Sequence, residues 1–195
     1  MTEIQLVNNF PLKWFIIFIL LYTFVATIFY FFLVESVSIS IPSTTRVTIF
    51  SLLDIITNSA VLFLPYLLQR WYRKPIAFLI VPAISILLLS TLGIKFTLVT
   101  AALALMVFKM CNLTVQRPTR ELLLLQASFA RPYGTKNFLD TTIYRFGDVL
   151  AAWVISTMTS AGLELKQIAI CMLPITIFWI IVGNTVSKKI KLTTT

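Results

Sequence analysis

The chain has 195 residues, 58% of them hydrophobic and only 12% charged, with a formal net charge of +9 and a mean hydropathy of +0.94. That charged share is about half of the roughly 25% found in soluble globular domains, which argues against a water-soluble enzyme or binding domain. The positive charge sits in short clusters at the ends of apolar stretches rather than along one face, which points away from nucleic acid and toward a lipid boundary.

Six apolar runs follow one another, each close to the roughly 20 residues a bilayer helix needs. The first is 14–34, a Phe/Ile/Leu-rich segment closed by Glu35. It is longer than the core of a cleavable leader and lacks a small-residue exit, so it reads as a retained helix after a short cytoplasmic segment, 1–13. Residues 35–46 alternate Ser and Ile and contain Pro42, which predicts a loop or short extended link. The second run is 47–68, and the third, 75–92, opens on Pro75, a residue that loses nothing in a helix's first turn. A tight turn at Gly93-Ile94-Lys95 leads to the fourth, 96–116. Residues 117–140 are too polar to cross lipid and form a predicted loop, although Leu122 to Leu125 could prolong the fourth helix or lie at the interface. The fifth run is 141–160. A turn at Ala161-Gly162-Leu163-Glu164 precedes the sixth, 168–186, and a basic tail, 188–195, closes the chain.

Basic residues test the count. With the N-terminus in the cytoplasm, Lys13, Arg70, Arg73, Lys74, Arg117, Arg120, Arg131, Lys136, Arg145, Lys188, Lys189 and Lys191 fall inside. Only Arg46, Lys95 and Lys166 fall outside, and Lys109 lies within a run. This asymmetry predicts six transmembrane helices with both termini cytoplasmic. One helix more or fewer would scramble it.

Some residues are costly to keep in lipid. Asp54 and Asn58 lie one helical turn apart, as do Lys109 and Asn112, with Gln116 a turn beyond. Charge at bilayer depth faces a bundle interior, a watery path or a partner. Asp54 and Lys109 therefore either line a hydrated cavity in which Lys109 attracts an anion, or simply pair with one another. Arg145 and Asp148 stand three apart, and Gly147 between them leaves room for a close helix neighbour. Arg117, Arg120, Glu121, Asp140, Arg145 and Asp148 could form one cytoplasmic network that latches a moving bundle, or could merely hold a loop. Pro65, Pro82 and Pro174 interrupt three of the runs. Trp14, Trp71 and Tyr72 suit interface anchors, while Trp153, in mid-run, is expected to pack.

No phosphate-binding loop, dinucleotide turn, zincin motif or nucleophile elbow is present. The two cysteines, Cys111 and Cys171, lie in apolar runs, and the chain has no histidine. No metal, cofactor or enzymatic activity is expected.

The strings Arg117-Pro118-x-Arg120-Glu121, Lys136-Asn137-Phe138-x-Asp140-Thr141 and Tyr144-Arg145-x-Gly147-Asp148, followed by Trp153, resemble the C-terminal half of bacterial major facilitator superfamily transporters. More narrowly, they are similar to members related to the ATP/ADP exchange carriers. The likeness takes in Asp54-x-x-x-Asn58 and the basic loop from Arg70 to Lys74. It departs at Phe129-Ala130-Arg131-Pro132-Tyr133-Gly134, where a dense charged run is usual, and at Phe146-Gly147, where two glycines are. What the resemblance implies is an all-α half-bundle supplying six of twelve spans in an inner (plasma) membrane. It would move a small solute by alternating access, anionic on the reading in which Lys109 attracts it, with a second six-helix half or a second copy as partner. The candidate cavity or gate residues are Asp54, Asn58, Lys109, Asn112, Arg117, Arg120, Glu121, Lys136, Asp140, Arg145 and Asp148. The alternative is a non-transporting fragment or scaffold, and the substrate's identity does not carry over from half a family.

Overall fold

A computed structural model describes residues 12–72, 77–126, 137 and 139–194, and those residues form helices joined by short turns. Helix α1 is Leu12–Ser40, α2 is Ser43–Tyr72 and α3 is Ala77–Ile94. Helix α4, Leu98–Cys111, runs through a widened π turn, Asn112–Gln116, into α5, Arg117–Gln126. A second π turn, Leu139–Ile143, leads into α6, Tyr144–Ser160. Helix α7 is Leu165–Cys171 and α8 is Leu173–Thr194.

Among the described residues, five stretches are long and apolar enough to cross a membrane: Lys13–Ser40, Ser43–Leu64, Ala77–Ile94, Leu98–Leu122 and Leu165–Lys189. The segment expected as the fifth span is helical but is not among them. Helix α6 has 17 residues and carries Arg145 and Asp148 near its start. The outer surface supports a lipid setting. Ile55, Leu62, Phe63, Val99, Val149 and Ile181 are all more than half exposed, and a water-soluble monomer rarely leaves so much apolar surface bare. The chain therefore has the build of a multi-pass membrane protein.

Helix α1 is the central post, because it is apolar on every side, the pattern of a helix buried all round. Phe15, Phe18, Ile19, Ile28, Phe29, Phe32 and Leu33 are no more than 1% exposed. Its rings interlock with those of neighbouring helices and of the 95–97 link. Phe18 meets Phe78 edge-on at 5.4 Å, Phe32 meets Phe96 at 5.5 Å, and Tyr22 stacks on Phe108 at 6.0 Å. Between helices in lipid the hydrophobic effect contributes little, so such dispersion contacts and close backbone approaches hold the bundle. Gly147 is one of those approaches. A Cβ there would clash with the Thr23 hydroxyl and sit 3.1 Å from the Leu20 carbonyl of α1. Gly183 brings α8 equally near α3, where a Cβ would sit 3.1 Å from the Phe78 carbonyl.

The structure corrects four expectations. Residues 35–46 are not a loop, since α1 continues to Ser40 and α2 begins at Ser43. Ser36 and Ser38 satisfy their hydroxyls on the Phe32 and Glu35 carbonyls of the same helix, so the Ser-Ile alternation needs no extended backbone. Arg46 then caps the end of α1, donating from Nε to the Ile41 carbonyl at 2.9 Å and from Nη2 to the Ser38 carbonyl at 2.8 Å. The loop predicted from residue 117 starts later, because α5 carries the fourth helix on to Gln126. The sixth run is longer than expected, from Leu165 to Thr194, and its irregular residue, Met172, stands just before Pro174, where the sequence pointed to an interruption. Trp153 does not pack inside; it is 66% exposed.

The turn at 161–164 forms as expected, with Gly162 at φ 80°. Pro75, Arg73, Lys74, Arg131, Lys136 and the 129–134 string lie outside the described residues, as do the side chains of Pro65, Arg70, Trp71, Tyr72 and Lys191.

Candidate functional site

A polar stripe climbs one side of the α4–α5 helix. Lys109, Asn112, Gln116 and Arg120 recur at spacings of three and four along it. Lys109 Nζ donates to Asp54 Oδ1 of α2 at 2.8 Å, with the two side chains 38% and 58% exposed. Of the two readings of these residues, the pair is the one that forms. It borders a small cleft of about 110 Å³ between α1, α2 and α4. Asn58, a turn further along α2, is exposed and does not line that cleft.

One turn on, Asn112 Nδ2 donates to the Tyr22 hydroxyl of α1 at 2.6 Å. Tyr22 was not legible as a site residue. The only signal was a phenol in a first run built mainly of Phe, Ile and Leu, and Tyr30 in the same run carries the same signal. Beyond it lies a larger cleft of about 350 Å³, lined by Tyr22, Asn112, Gln116, Arg117, Arg120, Asp140 and Tyr144, with Ile19 and Leu113.

Both π turns face this cleft. In the first, the Arg117 N–H reaches back five residues to the Asn112 carbonyl. The widening falls just ahead of Pro118, which has no N–H for the Thr114 carbonyl and whose ring would crowd it in a regular helix. Such bulges concentrate at functional sites. The freed polarity around it is partly absorbed by hydroxyls: Thr114 donates to the Met110 carbonyl and Thr119 to the Val115 carbonyl, both at 2.6 Å. The second π turn carries Asp140.

Arg120 joins the two turns. It is 8% exposed, its Nη2 lies 3.2 Å from Asp140 Oδ1, and its Nη1 donates to the Tyr144 hydroxyl. Its guanidinium also lies over the Tyr144 ring at 5.2 Å. Two polar atoms in the cleft wall remain without a hydrogen-bond partner among the described residues: Arg120 Nε and Gln116 Oε1, the latter on a residue 4% exposed. Burying such atoms unpaired costs about 1–3 kcal/mol each; a third, Trp179 Nε1, lies away from the cleft.

The single network expected of the six charged residues does not form among the described residues. Three separate arrangements stand in its place. Arg120 pairs with Asp140, Arg117 lies 3.6 Å from Glu121 on the same helix, and Asp148 turns to α1. The Thr27 hydroxyl donates to Asp148 Oδ1 at 2.7 Å. The Arg145–Asp148 pair is therefore not made, and Arg145 is exposed. The reason is Gly147: by letting α6 press against α1, it delivers Asp148 to a hydroxyl on that helix. Thr27, like Tyr22, could not be paired with its partner from spacing. Lys136 lies outside the described residues.

Among the described residues no group of His, Cys, Asp and Glu is placed to hold a metal. The chemistry this arrangement can offer is recognition. A planar cation, amides and phenols are held in an apolar bundle by internal partners, with two atoms left over. Comparison with protein-family models, with curated proteins and with solved structures finds no match.

Proposed function

We propose that this chain is half of a major-facilitator-type secondary transporter that carries a small anionic solute across an inner (plasma) membrane by alternating access. In this reading it crosses six times with both termini in the cytoplasm. The fifth crossing is the continuous helical stretch 139–160, about 30 Å long at roughly 1.5 Å per residue. The observation that carries the proposal is the cleft at the two π turns, where Arg120 Nε and Gln116 Oε1 are buried and unpaired inside an apolar bundle. Intramembrane cations and amides that face a cavity are the usual marks of a solute path. Interrupted helices near a site suit a rocking bundle, and here α4–α5 is widened at 112–116 and α7–α8 is irregular at Met172.

The test is reconstitution into liposomes with labelled organic anions, alongside a mass measurement of the assembled protein. Uptake above protein-free vesicles, by a dimer or a complex with a second bundle, is expected. Lys109→Ala at unchanged protein level should reduce it, because the Asp54 carboxylate would then stand unopposed beside the path. A second reading, a non-transporting scaffold, is favoured by the fact that Lys109, Arg117 and Arg120 each have a carboxylate of this chain within ion-pair range. Monomeric protein with no flux of any anion would select it.

A further inference from the structure

We infer that the 350 Å³ cleft takes a small oxyanion of single negative charge with a hydroxyl next to it, the chemistry of a hydroxy-carboxylate; this rests on the reading of that cleft as the solute site. Three features of the wall define the ligand. Arg120 Nε is an unused donor of a permanent cation and calls for an oxyanion oxygen. Gln116 Oε1 is an unused acceptor and calls for an O–H or N–H on the same molecule. Tyr22 accepts from Asn112, which leaves its own proton to offer to a second oxygen. A bare carboxylate or inorganic anion would satisfy the guanidinium and leave Gln116 orphaned.

Charge and size set the upper bound. The lining itself holds two guanidiniums, Arg117 and Arg120, against one carboxylate, Asp140; Glu121 is not part of it and meets Arg117 at 3.6 Å on an exposed face of α5. The wall therefore balances about one negative charge. A volume of about 350 Å³ lies at the small end of ligand pockets. A polyanionic nucleotide fits neither measure. The same pairing of oxyanion and hydroxyl occurs in the headgroup of phosphatidylglycerol, a phosphodiester flanked by glycerol hydroxyls, so a free hydroxy acid and that lipid are the two sources to separate.

The experiment uses the full chain in phosphatidylcholine nanodiscs, titrated calorimetrically with glycerate, with propionate, which has the carboxylate but no hydroxyl, and with ATP. Thermal unfolding is compared between phosphatidylcholine and phosphatidylglycerol discs. Glycerate is expected to bind at least about tenfold more tightly than propionate, the effect of roughly one hydrogen bond to a buried acceptor. In Gln116→Leu that preference should vanish while the unfolding temperature holds or rises, because the substitution deletes an unpaired buried acceptor; loss of preference is then not loss of fold. Glycerate binding in phosphatidylcholine identifies a free solute. A stabilisation by phosphatidylglycerol alone, abolished in Gln116→Leu, identifies the headgroup. Equal binding of glycerate and propionate, tighter binding of ATP, or no response to glycerate or to phosphatidylglycerol overturns the inference. Flux of other anions without any of these responses leaves transport standing and this inference overturned. Glycerate binding without flux does the reverse.

Discussion

Arg120 of α5 and Asp140 of the second π turn lie 3.2 Å apart, and this contact ties α5 to the start of α6 across the segment that separates them in sequence. The arginine side chain is 10% exposed and the aspartate 36%, so the pair is half sheltered. Asp140→Asn leaves the guanidinium buried with a neutral partner. The expected outcome is a loss of about 1–3 kcal/mol, read as a lower unfolding temperature in detergent. Arg120→Met with Asp140→Asn should recover part of that loss, because no unpaired charge then remains inside. A double variant no better than the single one would assign the loss to packing on Tyr144 rather than to charge.

Gly147 is a point of close steric contact between α1 and α6. Gly147→Ala places a methyl against Thr23 and the Leu20 carbonyl, and overpacking of this kind costs about 1–3 kcal/mol. Thermal unfolding should show it. Gly162→Ala is a contrasting case, since nothing lies within 4 Å of its Cβ position and only its φ of 80° penalises a side chain. It should cost about 1 kcal/mol through the backbone alone. Equal and negligible effects at both positions would contradict the close approach at Gly147.

The exposed face of α2 distinguishes water from lipid. Ser51, Asp54 and Asn58 share one side of that helix, while the exposed Leu52 and Phe63 lie about 100–120° round from Ser51. In a background with Cys111→Ser and Cys171→Ser, cysteine at Ser51 or Asn58 should react with a membrane-impermeant maleimide, whereas cysteine at Leu52 or Phe63 should not. Uniform silence along α2 would place the Asp54–Lys109 pair against lipid or protein and remove the hydrated path beside it.

Asp148 reports on movement between α1 and α6 through its bond to Thr27. Asp148→Asn keeps the shape and weakens a charge-assisted hydrogen bond. A shift in labelling between cytoplasmic and external reagents is the expected result if this contact holds one state of the bundle. Unchanged labelling would reduce the bond to a static brace.

Topology has its own test. A tag inserted among residues 127–136 should be found on the same side as the C-terminus, and a tag at Lys95 on the other. A tag in 127–136 found opposite the C-terminus would mean that 139–160 does not cross, and five crossings would replace six.

How far the site could be read from sequence varied by residue. Lys109, Asn112 and Gln116 were legible as one face because helical spacing depends only on position in the chain. Their partners were not, apart from Asp54, since Tyr22 and Thr27 lie in a first helix that composition reads as uniformly apolar. Arg145 and Asp148 have good spacing for an ion pair and do not form one, because a glycine contact with a distant helix turned Asp148 away.

Composition and the order of apolar runs, by themselves, determined that the chain is helical and built for a membrane, because backbone polar groups in lipid must be satisfied within each segment. The lengths of those runs are properties of the linear chain. Only the tertiary structure decided which charges meet, where α4–α5 widens, and which atoms remain unpaired. Each π turn inserts a residue and rotates the downstream helix by about 100°. That rotation, together with the approach of α6 to α1 at Gly147, brings Arg120, Asp140 and Tyr144 around one cleft.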